Sequence, residues 1–158
     1  MSRRASRYPK GYFAEASRAL LCALALGASG CGKFQQAREC ATFVKTVNAW
    51  LASSAALNAA DAGASTEPKQ IAEQARRTAQ HYTELSQRLA ALHIESEELA
   101  PRVNRYEHIA DSAAQSLRDV AEALDHGDLE NARKKRVDFD TVAQREGPLV
   151  QEINAVCR

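Results

Sequence analysis

Two histidine–carboxylate pairs stand at helical spacing in this chain, His81 with Glu84 and His108 with Asp111. Three positions apart on a helix, the members of each pair share a face and could offer two ligands to a metal ion. Helical bundles that hold carboxylate-bridged metals use Glu-x-x-His on two helices, and that order occurs nowhere here. An isolated pair of this sort reads as a solvated hydrogen bond, so neither a metal nor any other cofactor is expected. Gly-x-Ser-x-Gly, the phosphate-binding Gly-rich loops and the dinucleotide fingerprint are all missing. Cys-x-x-Cys-His is missing too, and the sole methionine is Met1, which argues against haem. No catalytic residue is expected.

Charge gives two further candidates. Arg133-Lys134-Lys135-Arg136 is the one basic run of the body and could meet anionic headgroups or a partner. Local pairing answers most of it: Glu130–Lys134 and Arg136–Asp140 are four apart, and Lys135–Asp138 three apart. Arg136 and Glu146 also fall where helical periodicity calls for apolar residues. One reading has Arg136 reaching solvent while Val137 takes its place in the apolar seam. The other has a buried polar pair or small pocket involving Glu146, close to Pro148.

Residues 1–30 differ from the rest. They carry five basic side chains (Arg3, Arg4, Arg7, Lys10, Arg18) against Glu15 alone. An apolar run follows over 19–26, then Gly27-Ala28-Ser29-Gly30 before Cys31. Basic, apolar and small-residue regions in that order make a secretory signal. The run is well short of the roughly 20 residues that span a bilayer. Its end, Ala28-Ser29-Gly30-Cys31, resembles the lipobox of bacterial lipoproteins, with Ala28 where that family has a Leu-like residue. The resemblance implies that Cys31 is diacylated and becomes the mature N-terminus; the alternative is an ordinary cleaved signal. Gly32 after it is not an inner-membrane retention residue in that family's sorting pattern, which implies an outer-membrane destination facing the periplasm. Ser2-Arg3-Arg4 hints at twin-arginine export. The whole chain is similar to helical lipoproteins with a cysteine near each end.

Residues that could act must be carried by helices. Ala, Arg, Glu, Gln and Leu dominate, and β-branched residues are scattered. Apolar residues recur at steps of three and four over 34–60, 67–92, 96 or 100–125, and 129–157. Ile71, Ala75, Tyr82, Leu85 and Leu89 mark the second seam; Val103, Tyr106, Ala110, Leu117 and Val120 mark the third. Thr66 and Asp128 suit N-caps, Pro68 and Pro101 first turns, and Gly127 a helix end. Pro148 predicts a kink near 144–147 within one continuous fourth helix. Short connections favour antiparallel neighbours, so the expected fold is an all-α, antiparallel up-down-up-down four-helix bundle over 31–158.

Cysteine pairing follows. Of the four cysteines, Cys22 leaves with the leader, and the resemblance assigns Cys31 to lipid. That leaves Cys40 and Cys157, an even pair in an oxidising compartment. Both fall on apolar seams, and an up-down bundle brings the start of the first helix to the end of the fourth. A Cys40–Cys157 disulfide is expected; two separate buried thiols are the alternative.

The chain as a whole carries a net charge of +1, but removing 1–30 leaves a body at −3, the wrong sign for a nucleic-acid partner. The expected function is that of a membrane-anchored cell-envelope lipoprotein. Its bundle would bind a protein partner or serve envelope structure, without catalysis. The other reading is a ligand- or metal-binding sensor with a pocket near Arg136 and Glu146.

Overall fold

The computed structural model of the chain describes residues 31–60 and 67–158. The expected signal peptide at 1–30, the side chain of the expected lipid-bearing Cys31, and the expected N-cap Thr66 lie outside the described residues. Those described form helices α1 (Cys31–Ala60), α2 (Pro68–Ala90), α3 (Ala100–Asp125), α4 (Leu129–Ala143) and α5 (Glu146–Val156), with no strand among them. The fold is an all-α bundle of four rods, α4 and α5 together making the fourth. None of the described helices is long and apolar enough to cross a membrane.

The seams read from the sequence are the buried faces. On α2, Ala72, Ala75, Ala79, Tyr82, Leu85 and Leu89 are buried; on α3, Val103, Tyr106, Ala110, Ala113, Leu117 and Val120 are. Alanines recur on both, and small side chains let two helix backbones approach closely. α2 and α3 accordingly form the most extensive helix pair. α1 adds larger side chains, Phe43, Val47 and Trp50. The Phe43 and Tyr106 rings meet edge to face at 5.8 Å, as do Tyr82 and Phe139 at 6.0 Å. Such pairs add about 0.5–1.5 kcal/mol beyond their burial.

Helix ends follow local chemistry. Gly127 takes φ +71°, a left-handed backbone that suits glycine. Its N–H donates to Leu124 O and that of Asp128 to Ala123 O, closing the end of α3 as a Schellman turn. The Asp128 carboxylate then accepts from Asn131 N at 3.0 Å and caps α4. α2 begins one residue later than expected, with Glu67 at the N-cap and Pro68 first in the helix. Glu67 is the last residue with extended backbone (ψ 123°), as the position before a proline favours.

The fourth rod departs from the expected continuous helix. α4 ends at Ala143 and α5 begins at Glu146, so two helices stand where one kinked helix was predicted. Pro148 has no N–H to donate, and its ring conflicts with the carbonyl four residues back, at Gln144. The hydrogen-bond ladder stops there and restarts from Arg145, whose backbone keeps right-handed angles. Pro148 then falls in the first turn of α5, where no donor is needed.

Cross-helix pairs record how neighbours lie. Arg76 in the third turn of α2 pairs with Asp125 at the end of α3, and Arg118 donates to Thr83 at 3.1 Å. Lys135 on α4 meets Asp119 on α3 at 3.0 Å, and Arg105 of α3 pairs with Glu152 of α5. Gln36 on α1 donates to Val156 O at 3.0 Å, next to the last turn of α5.

Candidate functional site

Cys40 and Cys157 are joined in a disulfide, their Cα atoms 5.7 Å apart across 117 positions of chain. α1 places Cys40 in its third turn, one helical step before Phe43 on the buried face. Cys157 lies just beyond α5, held by its N–H to Ile153 O at 3.0 Å. The link ties the first rod to the last at the end from which 1–30 departs. Closing so long a loop stabilises a fold by about 4–5 kcal/mol through the chain entropy it removes from the unfolded state.

Beside the link, Glu39 makes a connection that no local pattern suggests. Its carboxylate accepts from the backbone N–H of Glu95 at 3.1 Å and of Ser96 at 3.0 Å, and from the Gln35 amide at 3.1 Å. Burial works against its charge, but these three donors outweigh it and hold the Glu39 carboxyl below its ordinary pKa. A side chain of α1 thereby pins the connection between α2 and α3.

The two polar candidates of the fourth rod have separate fates. Arg136 is exposed, pairs with Asp140 at 3.2 Å and lies across the Phe139 ring at 5.2 Å. Val137 does not replace it in the seam, being 62% exposed. Ala132 and Phe139 are the buried side chains of α4, and Val137 falls on the opposite side of the helix from them. Leu129, the first residue of α4, stays 48% exposed at the rod's end.

Glu146, in contrast, turns inward. The Tyr106 hydroxyl donates to its Oε1 at 2.9 Å, and Tyr106 itself is only 3% exposed. Desolvation raises the Glu146 pKa, and the Tyr106 hydrogen bond offsets part of that rise. Burial also pushes the Tyr106 and Tyr82 hydroxyls up, and the nearby Glu146 charge adds to this for both. The buried polar partner of Glu146 is therefore Tyr106, and Arg136 is not joined to it.

His81 belongs to a cluster that the helical-spacing argument missed. Its ring stacks on Trp50 at 5.1 Å, and its Nε2 lies 2.7 Å from Ser54 Oγ. The Trp50 indole N–H donates to His81 O at 3.0 Å. Glu84, the expected partner, is 4.0 Å from His81 Nδ1 on the other side. Serine, histidine and carboxylate thus fall in the order of a nucleophilic relay. Ser54 lies within α1, and its Oγ is also 3.0 Å from Trp50 O of the same helix. The cluster ties α1 to α2. Among the described residues no three His, Cys, Asp or Glu side chains converge as metal ligands would.

Two clefts on the described surface stand out. One, of about 380 Å³, lies between the first turns of α1 and the α2–α3 connection and is lined by residues including Phe34, Arg38, Leu92 and Ile94. The other, of about 470 Å³, runs between α2 and α3 beside Arg76, Thr83, Arg118 and Asp125. Neither is lined by Arg136 or Glu146. Comparison of the chain with models of protein families, with curated proteins and with solved structures finds no match.

Proposed function

We propose that this chain is a lipid-anchored protein of the bacterial cell envelope, held on a membrane through Cys31. Its disulfide-closed helical bundle acts on a protein partner or in envelope structure, without catalysis. The observation that carries the reading is the Cys40–Cys157 disulfide. Such links persist in oxidising compartments and are rare in the cytosol. The basic, apolar and small-residue pattern of 1–30 supplies independent support, since it is the pattern of an exported chain. Two acyl chains on Cys31 would hold the protein almost permanently, each buried CH₂ contributing about 0.8 kcal/mol.

The up-down-up-down course of the rods is part of the same proposal. It is supported by the Arg76–Asp125, Lys135–Asp119 and Arg105–Glu152 pairs, whose positions along the chain fit an antiparallel course of the second, third and fourth rods. Fractionation of cells making the full chain tests the anchor. The parent protein should partition with membranes and require detergent for release, whereas Cys31→Ser should leave it in the aqueous fraction. Equal partition of the two proteins would contradict the proposal.

A further inference from the structure

Phe34 is 62% exposed in the first turn of α1, and it is one of only three large apolar side chains that stand out among the described residues. Three positions after Cys31 on one helix, it shares a face with the position where 1–30 joins the bundle. The Arg38 guanidinium lies 5.9 Å from the centre of its ring. Phe34, Leu92 and Ile94 form the apolar part of the adjoining cleft, and Arg38, His93 and Glu95 the polar part. Glu39 fixes the cleft's far wall through Glu95 N and Ser96 N, so the two walls cannot part freely.

From this we infer that the bundle end bearing Phe34 and Arg38 is a membrane-contact surface, with Phe34 seated in the headgroup layer of a lipid bilayer. The inference rests on the lipid-anchor reading and adds an orientation to it. Three features favour lipid as the occupant. The stretch 1–30, outside the described residues, joins at Cys31, one helical turn from Phe34. Within one turn of an anchored residue, α1 rises only about 5 Å, which keeps Phe34 at the depth of the headgroup layer. The cleft also presents charges of both signs around an apolar centre, which matches a zwitterionic headgroup above its acyl chains better than it matches a purely anionic surface. Glu97 and Glu98, exposed in the same connection, would repel the latter. The rods then stand away from the membrane with the Gly127 turn outermost.

Fluorescence on lipidated protein tests this. Phe34→Trp and Leu129→Trp place a reporter at each end, and the buried native Trp50 is subtracted using the parent protein. Each is bound to phosphatidylcholine vesicles carrying bromine high on the acyl chains. Phe34→Trp should shift to shorter wavelength and be quenched several-fold more than Leu129→Trp, while losing access to aqueous iodide. Protein that floats with the vesicles but leaves Phe34→Trp as open to iodide as in solution would overturn the contact and leave the anchor standing. Shielding of Phe34→Trp only when envelope proteins are added would overturn it in favour of a protein occupant. Protein that fails to float at all would defeat the anchor reading and this inference with it.

Discussion

The Tyr106 hydroxyl reaches the Glu146 carboxylate at 2.9 Å, joining the second turn of α3 to the first residue of α5 where the fourth rod breaks. A half-buried carboxylate thereby takes a hydrogen bond from a buried phenol, close to the second buried phenol, Tyr82. Titration of Glu146 should therefore be felt at the junction of α4 and α5.

The sign follows from burial. Desolvation raises the Glu146 pKa in the folded state above its unfolded value. The group's stabilising contribution is therefore fully present below the unfolded pKa and is lost as pH rises through the folded one. Thermal unfolding across the acidic range should show this loss, and Glu146→Gln should flatten it while retaining an acceptor for Tyr106. Glu146→Leu should instead destabilise by about 1–3 kcal/mol, because the Tyr106 hydroxyl is left buried without an acceptor. A pH profile unchanged by Glu146→Gln would contradict the assignment.

Glu39 gives the opposite dependence. Its folded pKa is lowered, so its contribution is present above the unfolded value and disappears as pH falls through the folded one. Glu39→Ala removes the acceptor for Glu95 N and Ser96 N, and a cost of about 1–3 kcal/mol is expected. Hydrogen exchange at those two amides should quicken in the variant, with α4 amides little changed.

Breaking the link between the first and last rods should be the largest single loss. Cys157→Ser, or reduction of the parent, should lower the unfolding free energy by about 4–5 kcal/mol in urea titrations. The same denaturation midpoint with and without reductant would show that the link contributes nothing.

Trp50 reports directly on the α1–α2 contact, being the sole tryptophan of the chain. His81→Leu removes the ring stacked on it at 5.1 Å and the polar contact to Ser54. A loss of about 0.5–1.5 kcal/mol is expected, with a shift in Trp50 emission. Glu84→Gln, which touches only the outer side of His81, should leave the emission alone.

Periodicity along one helix is visible in a sequence, and that is where the reading of this chain succeeded. Tyr82 and Leu85 on α2, and Val103 and Leu117 on α3, are buried where their steps of three and four put them. Gly127 and Asp128 each act through neighbours within a few positions, so their turn and cap were legible too. The Cys40–Cys157 link was expected because the leader reading and the lipobox resemblance set Cys22 and Cys31 aside and an up-down course was assumed. Glu39 was not, because its partners at Glu95 and Ser96 come from a different helix connection. His81 was matched with Glu84 on its own helix, whereas its closer partners Trp50 and Ser54 belong to α1. On the fourth rod Ala132, Phe139, Ala143, Val150, Ile153 and Cys157 are buried or packed against the core as their steps of three and four put them, on both sides of Pro148, while Leu129 at the rod's end and Val137 stay exposed. The helical spacing of a lone residue cannot report which rod lies opposite it.

Mass spectrometry of the protein recovered from membranes, without reductant, tests the central claim most directly. The account predicts an N-terminal peptide that begins at Cys31 and carries the mass of a diacylated cysteine, alongside a peptide pair joined through Cys40 and Cys157. A mature chain that begins elsewhere, or Cys31 recovered as an unmodified thiol, would contradict it.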